Sequence, residues 1–157
     1  MRRQDREVTD LNEIIGIIKN CDVCRIAFFG EEYPYIVPLN FGVTFDGSNF
    51  KFFLHAAKEG TKLDLLRKNP KVGFEMDCNH KLFMRDNGSC TMEYESVCGN
   101  GILRIVEDEE KILGLTVLME QYHGEKECHF PEHVLKVTEV LELTVKDITG
   151  KRLKVKE

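Results

Sequence analysis

The chain has no apolar run near the roughly 20 residues that a membrane-spanning helix needs. It also lacks a basic surplus: 22 Lys and Arg stand against 27 Asp and Glu, a formal net charge of −5 at pH 7. Sequence-independent binding to DNA or RNA needs a positive surface, so nucleic acid is not an expected partner. The opening residues MRRQDREVTD carry no apolar core of the secretory kind, and a cytoplasmic location is expected. No G-x-S-x-G elbow and no Ser/His/Asp arrangement is present, so covalent hydrolysis has no candidate machinery. Internal repeats and low-complexity segments are missing. Prolines number four, and the pair Pro34 and Pro38 falls inside one apolar run. A proline cannot donate to a β-ladder, so that run is expected to be an edge strand, or one bent around Pro38.

What remains is an ordinary globular composition, 42% apolar and 31% charged over 157 residues. That length suits one domain, residues 1–157, with a real core. Six cysteines are present, and without a secretory signal they are read as reduced structural thiols. Cys21 and Cys24 have the spacing of a redox or metal pair, and His129 and His133 could complete a tetrahedral set. The two pairs lie far apart in the chain, and no metal is expected. The basic tail Lys146, Lys151, Arg152, Lys154 and Lys156 reads as a solvated terminal strand.

Patterning supplies the elements. Thr9 or Asp10 caps a first helix to about Asn20, with Glu13 placed for a capping box and Leu11, Ile14, Ile15 and Ile18 at helical spacing. Val23–Phe29 reads as a strand. Tyr35–Phe45 and Phe50–Leu54 read as a hairpin joined at Asp46-Gly47, the second run ending in His55. Gly60-Thr61-Lys62 opens a short helix that Asn69-Pro70 closes, because a residue before proline is pushed from the helical region. Lys71–Asp77 is a strand, and 79–91 reads as a loose hairpin or loop. Met92–Val106 follows, broken at Gly99-Asn100-Gly101. A third helix starts at Glu107–Glu110 with Ile112, Leu115, Met119 and Tyr122 as its apolar positions and stops at Gly124. A fourth begins at Pro131, and a strand Val140–Val145 turns at Thr149-Gly150 into a last one. Strands follow one another without intervening helices, which disfavours a parallel sheet and favours an antiparallel barrel with peripheral helices.

Within this order, His55 ends a strand and Lys62 sits in the first turn of a helix. Unpaired N–H groups at a helix start, with a lysine beside them, suit a phosphate. Asn40 can both donate and accept a hydrogen bond. On generic grounds each has a bland alternative: a surface histidine, a solvated lysine, an asparagine bonding the backbone at the Pro38 bend, and an ordinary strand serine at Ser96.

The chain resembles the flavin-binding split β-barrel superfamily, whose founding activity is pyridoxamine phosphate oxidase, and within it the 5-nitroimidazole resistance proteins. The likeness runs through Met1-Arg2-Arg3 with Asp5-Arg6-Glu7, Pro34–Gly42, Phe53-Leu54-His55-Ala56-Ala57 and Glu59–Leu63. It continues through Asn69-Pro70, Tyr94-Glu95-Ser96-Val97 and Ile148-Thr149-Gly150-Lys151. The resemblance implies a mainly β, antiparallel split barrel with peripheral helices, which binds FMN at the interface of a homodimer. It implies that Val37, Pro38, Leu39 and Asn40 line the flavin ring, that Lys62 holds its phosphate, and that His55, Ala56, Thr61 and Ser96 border the pocket. Thr61 stands where many relatives carry arginine or lysine, so Lys151 and Arg152 become further candidates for the phosphate.

The activity implied is that of an FMN-dependent oxidoreductase acting on nitroaromatic compounds, with His55 as catalytic proton donor, since an imidazole exchanges a proton near neutral pH. A non-catalytic flavin-binding or redox-sensing module is the alternative. A haem-binding relative with His55 as axial ligand is a third.

Overall fold

The computed structural model describes residues 2–124 and 128–155. A single turn of 3-10 helix, Gln4–Arg6, leads into β1 (Glu7–Val8). Helix α1 (Leu11–Asn20) follows, its first turn capped by the Asp10 carboxylate, which accepts from the backbone N–H of Asn12 and Glu13 at 2.7 and 3.1 Å. Asp10 rather than Thr9 is therefore the cap. Glu13 does not return to Asp10 as a capping box would have it; its carboxylate accepts from Arg152 instead. Ile14, Ile17 and Ile18 turn into the core.

Strands β2 (Cys24–Phe28) and β3 (Tyr35–Leu39) form an antiparallel pair. Next come β4 (Phe41–Phe45), β5 (Phe50–Ala57), helix α2 (Thr61–Lys68) and the long strands β6 (Lys71–Met84) and β7 (Cys90–Val106). Helices α3 (Asp108–His123) and α4 (Glu132–Val137) precede β8 (Thr138–Leu153). All pairings are antiparallel, and the sheet runs β3-β2-β6-β7-β8-β5-β4, with β1 added on β8.

That order explains the barrel. β3 and β4 lie at opposite ends of the sheet path, yet only Asn40 separates them in the chain. Consecutive Cα atoms are about 3.8 Å apart, so the two sheet ends must curl toward each other at Asn40. The result is an antiparallel split barrel closed by covalent continuity. Tyr35–Phe45, read from sequence as one strand, is two strands. The apolar alternation runs through the crossing because both halves face the same core. The hairpin at Asp46-Gly47 does form, between β4 and β5. Pro38 sits in an edge strand, paired only with Arg25 of β2, where its missing N–H costs no inner ladder bond.

Of the two readings offered for residues 79–91, the hairpin holds: they are the outer part of the β6–β7 pair, with Leu82 opposite Met92 and Met84 opposite Cys90. The irregularity expected at Gly99–Gly101 is a bulge and not a turn: β7 runs on, and between Asn100, paired with Asp147, and Gly101, paired with Val145, the extra residue is Lys146 on β8. That bulge supplies the bend, so Thr149-Gly150 pairs straight on with Cys98 and Val97 and does not turn.

The core fills the barrel with Ile17, Ile18, Ile26, Phe28, Phe41, Phe52, Leu54, Leu63, Met76, Leu103 and Leu141. Each such side chain contributes about 1.5–3 kcal/mol by leaving water. A smaller cluster lies outside the sheet under α3: Phe53, Val106, Leu115, Val117 and Val140. The buried stripe of α3 is therefore Gly114, Leu115, Val117 and Leu118, and Ile112 and Tyr122 are exposed. α3 presses on β4 so closely that a Cβ on Gly42 would lie 2.3 Å from the Val117 carbonyl oxygen. Among the described residues, no helix is long and apolar enough to cross a membrane.

Candidate functional site

β5 alternates strictly near its end. Leu54 and Ala56 face the core, and His55 and Ala57 face out. The β4–β5 ladder ends with Phe41 opposite Leu54, so the next residues on the two chains, Asn40 and His55, lie side by side. After β5 the chain turns through Gly60, whose φ of 129° suits glycine and whose missing Cβ faces open space. Gly60 precedes α2 and supplies no side-chain cap. Its carbonyl accepts from the N–H of Leu63 and Asp64 at 2.9 and 3.3 Å, which leaves the Thr61 and Lys62 N–H groups outside the intrahelical set. Leu63 and Leu66 anchor the helix in the core. Thr61 is exposed, and Lys62 is half-buried beside it. Among the described residues, neither His55 nor Lys62 is engaged in a side-chain hydrogen bond or ion pair. This corner is thus a free imidazole, a free ammonium and an uncapped helix start.

The crossing at Asn40 forms its other wall. In β3, Val37 and Leu39 pack against the core, and Ile36 and Pro38 lie exposed on the outer face. Asn40 is exposed, and its Nδ2 donates to the Asp22 carbonyl at 3.4 Å. The same carbonyl accepts from the Tyr122 hydroxyl at 2.8 Å, and that hydroxyl accepts from the Phe41 N–H at 3.0 Å. Beside it, Gln121 Nε2 donates to the carbonyls of Ile18, Lys19 and Cys21 at 3.4, 3.3 and 3.1 Å. The end of α3 therefore clamps both the end of α1 and the crossing. Sequence spacing placed Tyr122 only on an apolar helix stripe; nothing local could show its hydroxyl reaching Phe41.

The β4–β5 register carries Asn40, at the end of β3, toward His55, and Thr61 and Lys62 follow His55 by six and seven residues across the turn at Gly60. Ala56 is 5% exposed, so only its backbone is available there. Ser96 is elsewhere: it pairs with Asp77 and with Lys151, near the opposite end of β8 from Val140, the partner of His55. Lys151 shares that second region, its Nζ 5.6 Å from the Tyr94 ring centre. Arg152 is held by Glu13 and Glu95 and is not free for a phosphate. Glu95 is only 4% exposed; burial opposes its charge, yet Asn79 and Arg152 hold its carboxyl below the usual value.

Surface cavities of 250 to 570 Å³ lie elsewhere; Arg152 lines one of them, beside Glu13 and Asp10, and Val37–Asn40, His55, Ala56, Thr61, Lys62 and Ser96 line none of the five. On one chain the candidate site is an open surface. Cys21 and Cys24 are buried; burial pushes the Cys24 thiol up to about 12 and the Cys21 thiol higher still, so both stay protonated. Cys21 and Cys78 both donate to the Ile17 carbonyl, at 3.3 and 3.8 Å. Among the described residues no group of three or more His, Cys, Asp or Glu is placed to hold a metal ion. Lys156 of the basic tail lies outside the described residues.

Compared with known proteins, residues 10–152 match the family described as pyridoxamine 5′-phosphate oxidase. A protein of Bacteroides thetaiotaomicron VPI-5482, provisionally described as a 5-nitroimidazole antibiotic resistance protein, is 30% identical with a TM-score of 0.82, over 93% of this chain and 86% of that one. The FAD- and haem-binding protein of Mycobacterium smegmatis is 14% identical with a TM-score of 0.81, over 96% and 74%. The flavocytochrome Anf3 of Azotobacter vinelandii is 14% identical with a TM-score of 0.79, over 99% and 72%. At that identity the last two show the fold alone. No curated protein matches the chain.

Proposed function

The chain belongs to the pyridoxamine 5′-phosphate oxidase family, and we propose that it is an FMN-binding oxidoreductase that reduces nitroaromatic compounds such as 5-nitroimidazoles. The observation that carries this reading is the start of α2. Open space at Gly60, an uncapped first turn and the free Lys62 ammonium together fit a phosphate monoester. Thr61 adds a hydroxyl donor, in place of a second cation. The crossing at Val37–Asn40 offers the apolar edge and the amide that a flavin ring needs.

FMN would supply the electron transfer when bound. The chain's own residues do the rest. Lys62 and the α2 backbone fix the phosphate, and the β3–β4 crossing sets the ring's position. His55, exposed beside Asn40, donates a proton to the oxygen of the substrate being reduced. The nitroaromatic substrate class follows from the 30% identical relative's provisional description and from the free imidazole at this corner.

The working form is a homodimer with two equivalent sites. One chain leaves the corner open and puts Ser96 and Lys151 in a separate region, and a second copy related by a two-fold axis can bring its Ser96 region against the first copy's corner.

A visible spectrum of freshly purified protein, mass analysis of the released cofactor, and turnover with a reduced nicotinamide and a nitroimidazole test the reading. Two-band flavin absorption, an FMN mass and nicotinamide oxidation on adding the nitroimidazole are expected. FMN without turnover would leave a flavin-binding or redox-sensing module, and a Soret band would replace FMN with haem.

A further inference from the structure

Resting on the FMN reading above, we infer that Tyr122 is a positioning residue that orients the Asn40 amide, and that Asn40 thereby selects a ligand edge presenting an N–H donor. Four groups close a small ring of contacts. Asp22's carbonyl oxygen accepts from Tyr122 at 2.8 Å and from Asn40 Nδ2 at 3.4 Å; the Tyr122 hydroxyl accepts from the N–H of Phe41, the residue after Asn40, at 3.0 Å. A hydroxyl can donate once and accept as well, and a carbonyl oxygen has two lone pairs, so the Tyr122 hydroxyl and the Asp22 carbonyl can make these bonds together. With Nδ2 turned back to Asp22, Oδ1 is the amide atom directed away from that carbonyl.

Two observations make this arrangement stiff. α3 meets β4 in close contact at Gly42, two residues past Asn40, where a side chain would strike the Val117 backbone. Gln121, adjacent to Tyr122, holds three carbonyls at the end of α1, which leads directly into Asp22. The donor and acceptor of the ring thus come from segments fixed independently of any ligand. A pre-oriented acceptor favours a partner with a matching N–H and disfavours one whose nitrogen is blocked. The flavin pyrimidine ring carries such a group, its imide N3–H.

Fluorescence titration with FMN and with 3-methyl-FMN, whose N3–H is replaced by a methyl group, tests the inference. Four proteins are compared: the parent, Asn40→Ala, Tyr122→Phe and Gln121→Ala, with thermal midpoints for each. The parent is expected to bind the methylated flavin about tenfold more weakly than FMN, the order of one hydrogen bond. Asn40→Ala loses that preference. Tyr122→Phe stays folded and falls below about threefold, and Gln121→Ala, which loosens the same segment, lowers the midpoint and reduces the preference only in part. A parent that binds both flavins equally, or a Tyr122→Phe protein that keeps the tenfold preference, overturns the inference. If Tyr122→Phe does not fold, the hydroxyl is a fold determinant and the positioning role is likewise overturned. A parent that binds neither flavin removes the FMN reading itself, a result distinct from equal binding.

Discussion

Phe41 stands opposite Leu54 at the last rung of the β4–β5 ladder, and that single pair sets Asn40 beside His55. Both residues of the pair are fully buried, so the geometry of the corner is fixed from below by the core. The side chains that face a ligand, Asn40 and His55, can therefore be exchanged without emptying the barrel.

Lys62→Ala should weaken FMN binding and leave the fold intact. Among the described residues its side chain makes no ion pair, so stability owes it little, whereas a charge-assisted contact to phosphate is worth about 1.5–3 kcal/mol, roughly ten- to hundredfold in affinity. Fluorescence titration reads the affinity and thermal unfolding reads the fold. Unchanged affinity would remove Lys62 from the phosphate site.

His55→Ala should retain FMN and lose about 10²-fold or more in nitroreduction, the usual worth of a positioned proton donor. The side chain lies outside the core, so truncation leaves no cavity. A variant with the parent's turnover would end the catalytic assignment and favour the non-catalytic reading.

The protein should sediment as a dimer at micromolar concentration, because the candidate corner and the Ser96 region are separate on one chain and each is open. Sedimentation of only a monomer-sized species, with FMN still bound, would contradict a shared site.

Stability should fall on acidification through the Glu95 carboxylate. Burial raises its pKa, but the Asn79 and Arg152 contacts outweigh burial and leave it lowered in the folded chain. A carboxyl with a depressed folded value contributes stability that is fully present above its unfolded value, about 4.3, and is lost as pH falls through the folded one. Glu95→Gln should cost about 1–3 kcal/mol near pH 7, since Arg152 loses a charge-assisted partner but is part-exposed and keeps Glu13. Denaturant unfolding of both proteins at pH 7, 4 and 3 checks this: the variant should lose less on acidification than the parent. Parallel losses would show that other carboxylates govern the acid limb.

The sequence by itself determined the elements that local chemistry controls. Asp10 before an apolar 3.6-residue period, Asp46-Gly47 between apolar runs, Asn69 before Pro70 and Gly124 after a helix all act within a few residues, and each appears where its chemistry puts it. The strand end that carries the candidate His55 and the helix start that carries the candidate Lys62 were legible for the same reason, being set by local pattern. Tertiary structure decided the rest. It split Tyr35–Phe45 at Asn40, because an apolar alternation records which side faces the core and not which strand lies alongside. It chose the hairpin over the loop for 79–91, put the extra residue of the bulge at Lys146 on β8, and left Ile112 and Tyr122 outside the core stripe of α3. The separation of Ser96 from His55 depends on long-range strand pairing, and the reach of Tyr122 to Phe41 and Asp22 spans 81 and 100 residues. Such pairings follow from the closure of the whole sheet, which no short window of sequence contains.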